Sequence, residues 1–196
     1  MSETISNFWK ACLHCIGSKD SKVPRHLGEA KHASERNEVL HYDFMFVRKS
    51  EDRSVPQHIL VIKDDLPHYV ELCPAATADH FTVADAVLEW YKRFNRAEIH
   101  VSYRETHFKN SIIAEFNRVF QTDRHFTTAY SPQINGAVER VNREILKILK
   151  SLTSEFRMPW HQWYKLLPLI QRSLNNSRSK SLGDEAPITV FLGLPA

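Results

Sequence analysis

The sequence predicts an α/β protein in which helices pack on a mixed β-sheet. Three observations predict this class. Three strand-like segments joined by short turns follow residue 38, strand and helix patterns then alternate, and a long helix with a single apolar stripe comes after them. The predicted order is β-β-β-α-β-α-β-α-α with flanking helices. A chain of 196 residues is long enough for one packed domain and a short appendage.

The first three strands are predicted from short apolar runs. Residues 39–47 are apolar and aromatic around one carboxylate, Asp43, which is typical of a mostly buried strand. A polar turn leads to a second strand at 58–62, and a turn at 64–67 leads to a third at 68–72. Such short connections favour an antiparallel meander.

Helices and strands then alternate. Apolar residues at helical spacing predict a helix over 79–95, with Asp79 and Thr82 as candidate caps. A strand at 98–102, a helix at 109–120 and a strand at 125–128 follow.

A long amphipathic helix is predicted over 134–156, followed by a last helix over 160–174. Trp160 and Trp163 on the last helix are expected to anchor the core or a subunit interface. The apolar stripe of the long helix consists of Val138, Val141, Ile145, Leu149, Leu152 and Phe156, and its basic side of Arg140, Arg143, Lys147, Lys150 and Arg157.

The net charge of +3 is too small to imply a partner, but its distribution is uneven. Residues 136–180 carry nine basic and three acidic groups, so this block could contact phosphates. No apolar run approaches the roughly 20 residues of a membrane-spanning helix, and the first ten residues lack the apolar block of a signal peptide. We therefore expect an intracellular protein without a membrane partner.

Two acids are candidates for chemistry. Asp43 lies among apolar neighbours, where an ionised carboxylate needs a cation or hydrogen-bond donors. Glu139 lies near the start of the long basic helix. An acid from a strand and one from a helix can converge on a divalent metal ion. Each alone could instead have a structural role, Asp43 as a strand-end acid satisfied by backbone donors and Glu139 as a charge at the helix amino end.

Four segments form an ordered set of motifs: Leu40-His41-Tyr42-Asp43-Phe44, Thr106-His107-Phe108-Lys109-Asn110, the stretch from Tyr130 through Glu139 to Arg140, and the closing segment from Ala186 to Gly193. Together they resemble the catalytic core of retroviral-type integrases, most closely those of gypsy-type long-terminal-repeat retrotransposons. The resemblance implies a ribonuclease-H-like fold and a role in DNA integration by two-metal phosphoryl transfer.

The sequence departs from the family pattern at one metal ligand. In the family 35 residues separate the second catalytic Asp from the Glu, and residues 104–138 form such an interval before Glu139. Position 103 is Tyr103, whose neutral phenol offers Mg²⁺ or Mn²⁺ little in place of a carboxylate. Asp43 and Glu139 are therefore expected to bind one ion weakly, with catalysis severely reduced or absent.

Two further interpretations stay open at this point. Glu105 lies two residues beyond Tyr103, on the same side of an extended chain, and could substitute for the lost acid in an active nuclease or transposase. The chain could otherwise be a non-catalytic DNA- or protein-binding module derived from an integrase, with a homodimer as one such assembly.

DNA is the expected partner, in the nucleus if the protein is functional. Arg143 follows Glu139 by one helical turn, and Lys147 lies further along the helix. The resemblance also implies DNA contact by a polar loop before the helix, which contains Ser131, Gln133 and Asn135.

The amino-terminal part is predicted to be a separate module. Residues 1–38 are expected to be a truncated zinc-module remnant and linker, and residues 39–196 the integrase-like domain, with a core at 39–157 and a helical part at 158–196. Cys12 and Cys15 resemble the second half of a His-His-Cys-Cys zinc module. Because no histidine precedes Cys12, the pair is incomplete and bound zinc is not expected.

Overall fold

Five strands form one mixed sheet in the computed structural model, which describes residues 32–52, 54–102, 118, 123–126 and 132–196, with the backbone alone at 123–126, 132–137 and 139. The central position of the first strand suits its apolar residues on both faces. The strands are β1 (Val39–Phe46), β2 (His58–Asp64), β3 (Val70–Ala75), β4 (Ile99–Ser102) and β5 (Asp123–Phe126), in the spatial order β3-β2-β1-β4-β5.

The strand directions confirm the predicted meander and mixed sheet. β1 and β2 are antiparallel, with Asp43 opposite Val61, and β2 and β3 are antiparallel as well. β1 and β4 are parallel, as are β4 and β5. The third strand begins at Val70 and not at residue 68, because His68 has a φ of 58°, which is incompatible with a strand.

Helices cover both faces of the sheet. The helices are α1 (His80–Phe94), α2 (Pro132–Glu155), the 3-10 helix (Trp160–Leu166), α3 (Leu167–Asn176), a 3-10 turn (Lys180–Leu182) and α4 (Pro187–Leu192). One face of the sheet packs against α1 and α4 through Leu40, Tyr42 and Leu60, and the other packs against α2, the 3-10 helix and α3 through Met45 and Ile59.

Capping residues set the ends of α1. The Asp79 carboxylate accepts a 2.9 Å hydrogen bond from the Thr82 amide, as a helix N-cap does, so Asp79 is the cap and Thr82 is its partner. The helix ends before Asn95, which has a φ of 70°.

The prediction of one continuous last helix was wrong. Pro168 has no N–H and cannot donate to the carbonyl four residues earlier, so a 3-10 helix ends at Leu166 and α3 begins at Leu167. Trp163 is buried as predicted, whereas Trp160 is 41% exposed. The short helix α4 lies within the part predicted to be helical, 158–196, although it was not predicted as a separate element. Its Phe191 ring stacks on Tyr69 at a centroid distance of 4.7 Å.

The long helix α2 begins two residues before the predicted start and ends at Glu155. Ile145 and Leu149 of the predicted stripe are buried, while Phe156 follows the helix end and is 55% exposed. The predicted helix at 109–120 lies outside the described residues except for Arg118, which is helical. In the part of the chain that the structure describes, no helix is long and apolar enough to span a membrane.

Candidate functional site

Asp43 lies on the face of β1 that α2 covers. Alternate residues of a strand share a face; Tyr42 packs into the core beneath α1, whereas Met45 packs against α2. The Asp43 side chain is half-buried. β1 and β4 are parallel, so Asp43 lies towards the edge of the sheet where both strands end, the usual location of sites in open α/β sheets.

Asn142 joins α2 directly to this carboxylate. Its Nδ2 donates a 2.8 Å hydrogen bond to Asp43 Oδ2. Residues three apart on a helix lie on the same face, so Glu139 and Asn142 share one. The structure therefore brings the turn of α2 that contains Glu139 to the Asp43 side of the sheet.

Sequence analysis did not identify Asn142. Its spacing of three residues from Glu139 could have identified it, because residues at that spacing share a helix face.

The other predicted metal-site residues lie wholly or partly outside the described residues. Glu139 lies in α2, and the described part of it is the backbone. Tyr103 and Glu105 lie outside the described residues. Ser102, which precedes Tyr103 in the chain, pairs with Tyr42, and Tyr42 precedes Asp43.

The polar loop expected to contact DNA differs from the prediction. Ser131 lies outside the described residues, while Gln133 and Asn135 belong to the first turn of α2. Pro132 explains the early start, because proline is favoured in the first turn of a helix, where its missing N–H costs nothing.

The basic side of α2 is exposed to solvent. Arg143, Lys147 and Lys150 are all exposed, as is Arg140, which lies two turns beyond the start of the helix. These side chains are accessible to a large anionic partner such as a nucleic acid.

A second group of titratable side chains lies beside Asp43 on the same face. His41 is two residues before Asp43 and is 5% exposed, and its Nε2 lies 3.2 Å from Asp65 Oδ1. Lys63 pairs with His41 across the two strands and is 2% exposed. Burial lowers the pKa of the Lys63 ammonium to about 8, against the attraction of Asp65, and the positive charge of Arg140 lowers it further.

Asp65 compensates the buried positive charge of Lys63. Burial alone would raise the pKa of Asp65, but hydrogen bonds from His41 and the Ala33 amide, together with the charge of Lys63, hold the pKa well below its usual range. The carboxylate is therefore ionised at neutral pH, next to the ammonium of Lys63.

Two buried side-chain atoms have no hydrogen-bond partner, one on a residue two before Asp43 on β1 and one on the residue that donates to Asp43. They are Nδ1 of His41 and Oδ1 of Asn142. Among the described side chains, which do not include that of Glu139, no three of His, Cys, Asp or Glu are grouped to hold a metal ion.

The cysteines provide no zinc site in the described part of the chain. Cys12 and Cys15 lie outside it. Cys73 is half-buried against the core beneath α1, and burial raises the pKa of its thiol to about 11.

Sequence comparisons find similarity to retroviral and transposon polyproteins. The chain is 32% identical over 124 residues to the Pro-Pol polyprotein of simian foamy virus type 1, a match of 63% of this chain and 10% of that polyprotein. It is 28% identical over 100 residues, half of this chain and 8% of the relative, to the retrovirus-related Pol polyprotein from transposon 412 of Drosophila melanogaster. No family model matches the chain. The chain thus spans about a tenth of the length of these relatives.

Solved structures share the fold at low sequence identity. One is the simian T-cell lymphotropic virus intasome, solved in complex with the PP2A regulatory subunit B56 gamma. The matched region covers 96% of this chain and 66% of the chain in that structure, with a TM-score of 0.72 and 13% sequence identity. Another is the HTLV-2 integrase catalytic core domain in complex with magnesium. The matched region covers 82% of this chain and 99% of the chain in that structure, with a TM-score of 0.68 and 12% sequence identity. The chain therefore has the ribonuclease-H-like fold of retroviral integrase catalytic cores and is similar in sequence to retroviral and transposon Pol polyproteins.

Proposed function

We propose that the chain is a DNA-binding integrase core of the gypsy type whose acids hold one divalent cation and whose catalytic activity is severely reduced. The Asn142–Asp43 hydrogen bond carries this proposal. It connects the strand that bears the first acid to the helix that bears Glu139, as a shared metal site requires.

The two acids of the proposed site carry the donor chemistry of a hard divalent ion. Asp43 and Glu139 would hold it through carboxylate oxygens, the donors that Mg²⁺ and Mn²⁺ prefer. A cation bound there would supply Lewis-acid activation of water or of a DNA 3′-hydroxyl. Tyr103, which follows Ser102 at the end of β4, provides no second carboxylate for another ion.

A strand-transfer assay on a labelled DNA duplex with Mn²⁺ tests the proposed loss of catalysis. We expect little or no product from the natural chain and recovered product from Tyr103→Asp, alone or combined with Glu105→Gly. Robust nicking by the natural chain that Glu105→Ala abolishes would overturn the proposal in favour of an active nuclease. If Tyr103→Asp is inactive both alone and with Glu105→Gly, the loss of catalysis is not due to Tyr103 alone.

The exposed basic side of α2 supports DNA binding. Affinity falls as salt rises, and each lysine or arginine that neutralises a phosphate steepens this fall by about 0.9 in the slope of log affinity against log salt. We expect Arg143→Ala to weaken duplex binding and reduce that slope by about one. Arg178→Ala removes an exposed arginine beyond α3 and serves as the control. Equal effects of both variants would contradict a specific role for this helix face. A nuclear location follows only if the protein acts on chromosomal DNA.

A homodimer is part of this proposal. The described helices and the turn after α2 expose several large apolar side chains, which a second copy could cover. These side chains are Phe81, Leu88, Phe156, Trp160 and Leu169. Light scattering across a concentration series tests the proposed homodimer. We expect a dimer at micromolar concentration, and a monomer at every concentration would contradict the proposal.

A further inference from the structure

A groove of about 500 Å³ lies between the end of α1, the end of α4 and the segment 32–38. Asn37 and Asn95 line it, and they precede β1 and β4 in the chain. β1 and β4 are parallel, so their starts lie at one edge of the sheet and Asp43 lies towards the other. α1 and α4 also pack on the face of the sheet opposite to α2. This α1–α4 groove is therefore separate from the proposed cation site and from the basic side of α2.

The walls of the α1–α4 groove are partly apolar and partly positively charged. The half-buried Phe94 ring packs edge-on against the Phe191 ring at a centroid distance of 5.0 Å, and Leu192 beside them is 36% exposed. Arg36 and Arg93 supply the charges, and none of the described side chains that line the groove is acidic. Arginine next to aromatic surface is enriched at protein–protein interfaces.

Contacts with the fold hold Arg93 in place. Its Nη1 and Nη2 donate to the two carboxylate oxygens of Glu71, which is 4% exposed, and its Nε donates to the carbonyl of Glu89 at 2.8 Å. The guanidinium also lies over the Phe94 ring, with Cζ 4.9 Å from the ring centroid. A second N–H on each Nη remains, and the side chain is 41% exposed. Because Arg93 is already oriented, a ligand that accepts from it incurs little ordering cost.

Arg36 carries the uncompensated charge of the α1–α4 groove. It is exposed, and its guanidinium donates a 2.8 Å hydrogen bond to the carbonyl of Phe191, which leaves most of its N–H groups for a ligand. Within the described ranges of the chain Arg36 forms no ion pair, whereas Glu71 balances the charge of Arg93. The net attraction for an acidic group therefore comes from Arg36, which offers a carboxylate a charge-assisted hydrogen bond.

We propose that the α1–α4 groove binds an acidic peptide segment of a partner protein, with a carboxylate of the segment on Arg36 and a large apolar side chain against Phe94 and Leu192. Positive charge without a lining carboxylate complements an acidic ligand. The apolar wall suits a side chain, which the sugar-phosphate backbone of a nucleic acid does not have. The groove also lies away from α2, the helix proposed to contact DNA. The chain would thus bind a protein and DNA on different faces.

Fluorescence anisotropy with the full chain tests this inference. The probe is a labelled peptide in which one phenylalanine is flanked on each side by two aspartates, and we expect saturable binding at concentrations below about 1 mM. Replacing the aspartates by asparagine, or the phenylalanine by alanine, should remove that binding. Arg36→Glu and Leu192→Asp should each weaken it at least about tenfold, because each places a carboxylate opposite the acidic peptide. Both side chains are exposed, so we expect both variants to keep the thermal unfolding transition of the natural chain.

Controls separate the groove from general charge and from the other proposed surfaces. Arg178→Glu makes the same charge change at an exposed arginine outside the groove and should bind the peptide like the natural chain. No saturable binding by the natural chain, or an equal loss in Arg178→Glu, would overturn the inference. If Arg36→Glu weakens duplex DNA binding as much as Arg143→Ala does, the groove belongs to the DNA surface and the inference falls. It falls as well if Arg36→Glu converts a dimer to a monomer in light scattering, because a second copy then occupies the groove.

Discussion

Asn142 is the residue on which the geometry of the proposed cation site depends most. Its side-chain amide orients one oxygen of Asp43 across the junction of sheet and helix without neutralising the carboxylate. A neutral donor is suited to this task because it leaves the negative charge available to a cation, whereas a lysine or arginine at the same place would compete with the ion.

We expect Asn142→Ala to lower the free energy of unfolding by about 1 kcal/mol and to weaken Mn²⁺ binding. The carboxylate would lose a donor while the buried carbonyl of Asn142, which has no partner, would disappear as well. Urea denaturation and Mn²⁺ titration measure the two effects. The control is Asn176→Ala, whose side chain donates to a carbonyl of its own helix. Unchanged Mn²⁺ affinity in Asn142→Ala would contradict the assigned role.

At this scale the sequence predicted the two acids but not their surroundings. Asp43 is recognisable because a lone carboxylate in an apolar strand is costly. His41 lies in β1, and Asp65 follows β2, 24 positions later in the sequence. Their contact therefore depends on how β1 and β2 pair and on the turn that follows β2. Such a contact follows from strand register, which the sequence alone does not specify.

At the scale of elements, β3 is an edge strand whose outer side is closed by side chains of α3. Asn175 mimics a neighbouring strand: its Oδ1 accepts from the Val70 amide at 2.9 Å and its Nδ2 donates to the Val70 carbonyl at 2.8 Å. Gln171 accepts from the Leu72 amide at 2.9 Å. Two residues further along, Pro74 has no N–H to leave unpaired. The edge therefore offers little for another strand to pair with.

Asn175→Ala should destabilise the fold by about 2 kcal/mol, because it leaves a buried amide and a buried carbonyl unpaired. It should also promote aggregation, since the exposed edge can pair with another chain. Thermal unfolding and light scattering measure these effects, with Asn176→Ala as the neighbouring control. A melting temperature equal to that of the natural chain would show that α3 does not protect this edge.

The order of the elements was more predictable than their ends. Apolar periodicity predicted the meander, α1 and α2, because each buries a continuous face. The break at Pro168 was also readable from the sequence, but the run of apolar residues on both sides of it favoured one helix. The start of β3 was not readable, because it depends on the left-handed conformation of His68.

At the scale of the whole molecule, the segment 32–38 ties separate parts of the fold together. The Asn37 amide donates to Asp64 at the end of β2, and the Asn37 side chain donates to the carbonyls of Phe94, the last residue of α1, and of Arg96. The Arg36 guanidinium donates a 2.8 Å hydrogen bond to the carbonyl of Phe191 in α4. These residues, assigned from the sequence to a linker, contact the core.

Asp64 makes this connection sensitive to pH. Burial raises the pKa of its carboxyl to about 7, although the Asn37 amide favours the ionised form. Between about pH 4 and pH 7 the folded protein therefore holds a proton that the unfolded chain has released, and this group lowers the free energy of unfolding as pH rises. His68 acts oppositely, because burial and Lys63 lower its pKa to about 4. The two effects partly cancel in the natural chain.

Comparison with Asp64→Asn isolates the contribution of Asp64. The free energy of unfolding of this variant, relative to the natural chain, should increase between pH 4 and pH 7 by up to about 1.4 kcal/mol per unit, because the neutral amide incurs no cost of ionisation. Urea denaturation at several pH values measures it, with exposed Asp184→Asn as the control. A difference that is constant across this range would contradict the raised pKa of Asp64.

The central claim is that Asp43 and Glu139 form a site for one divalent cation and that Tyr103 removes the second. The most direct test is the number of Mn²⁺ ions bound per chain, counted by electron paramagnetic resonance titration. We expect one ion in the natural chain, two in Tyr103→Asp and none in Asp43→Asn. Two ions bound by the natural chain, or one retained by Asp43→Asn, would contradict the account.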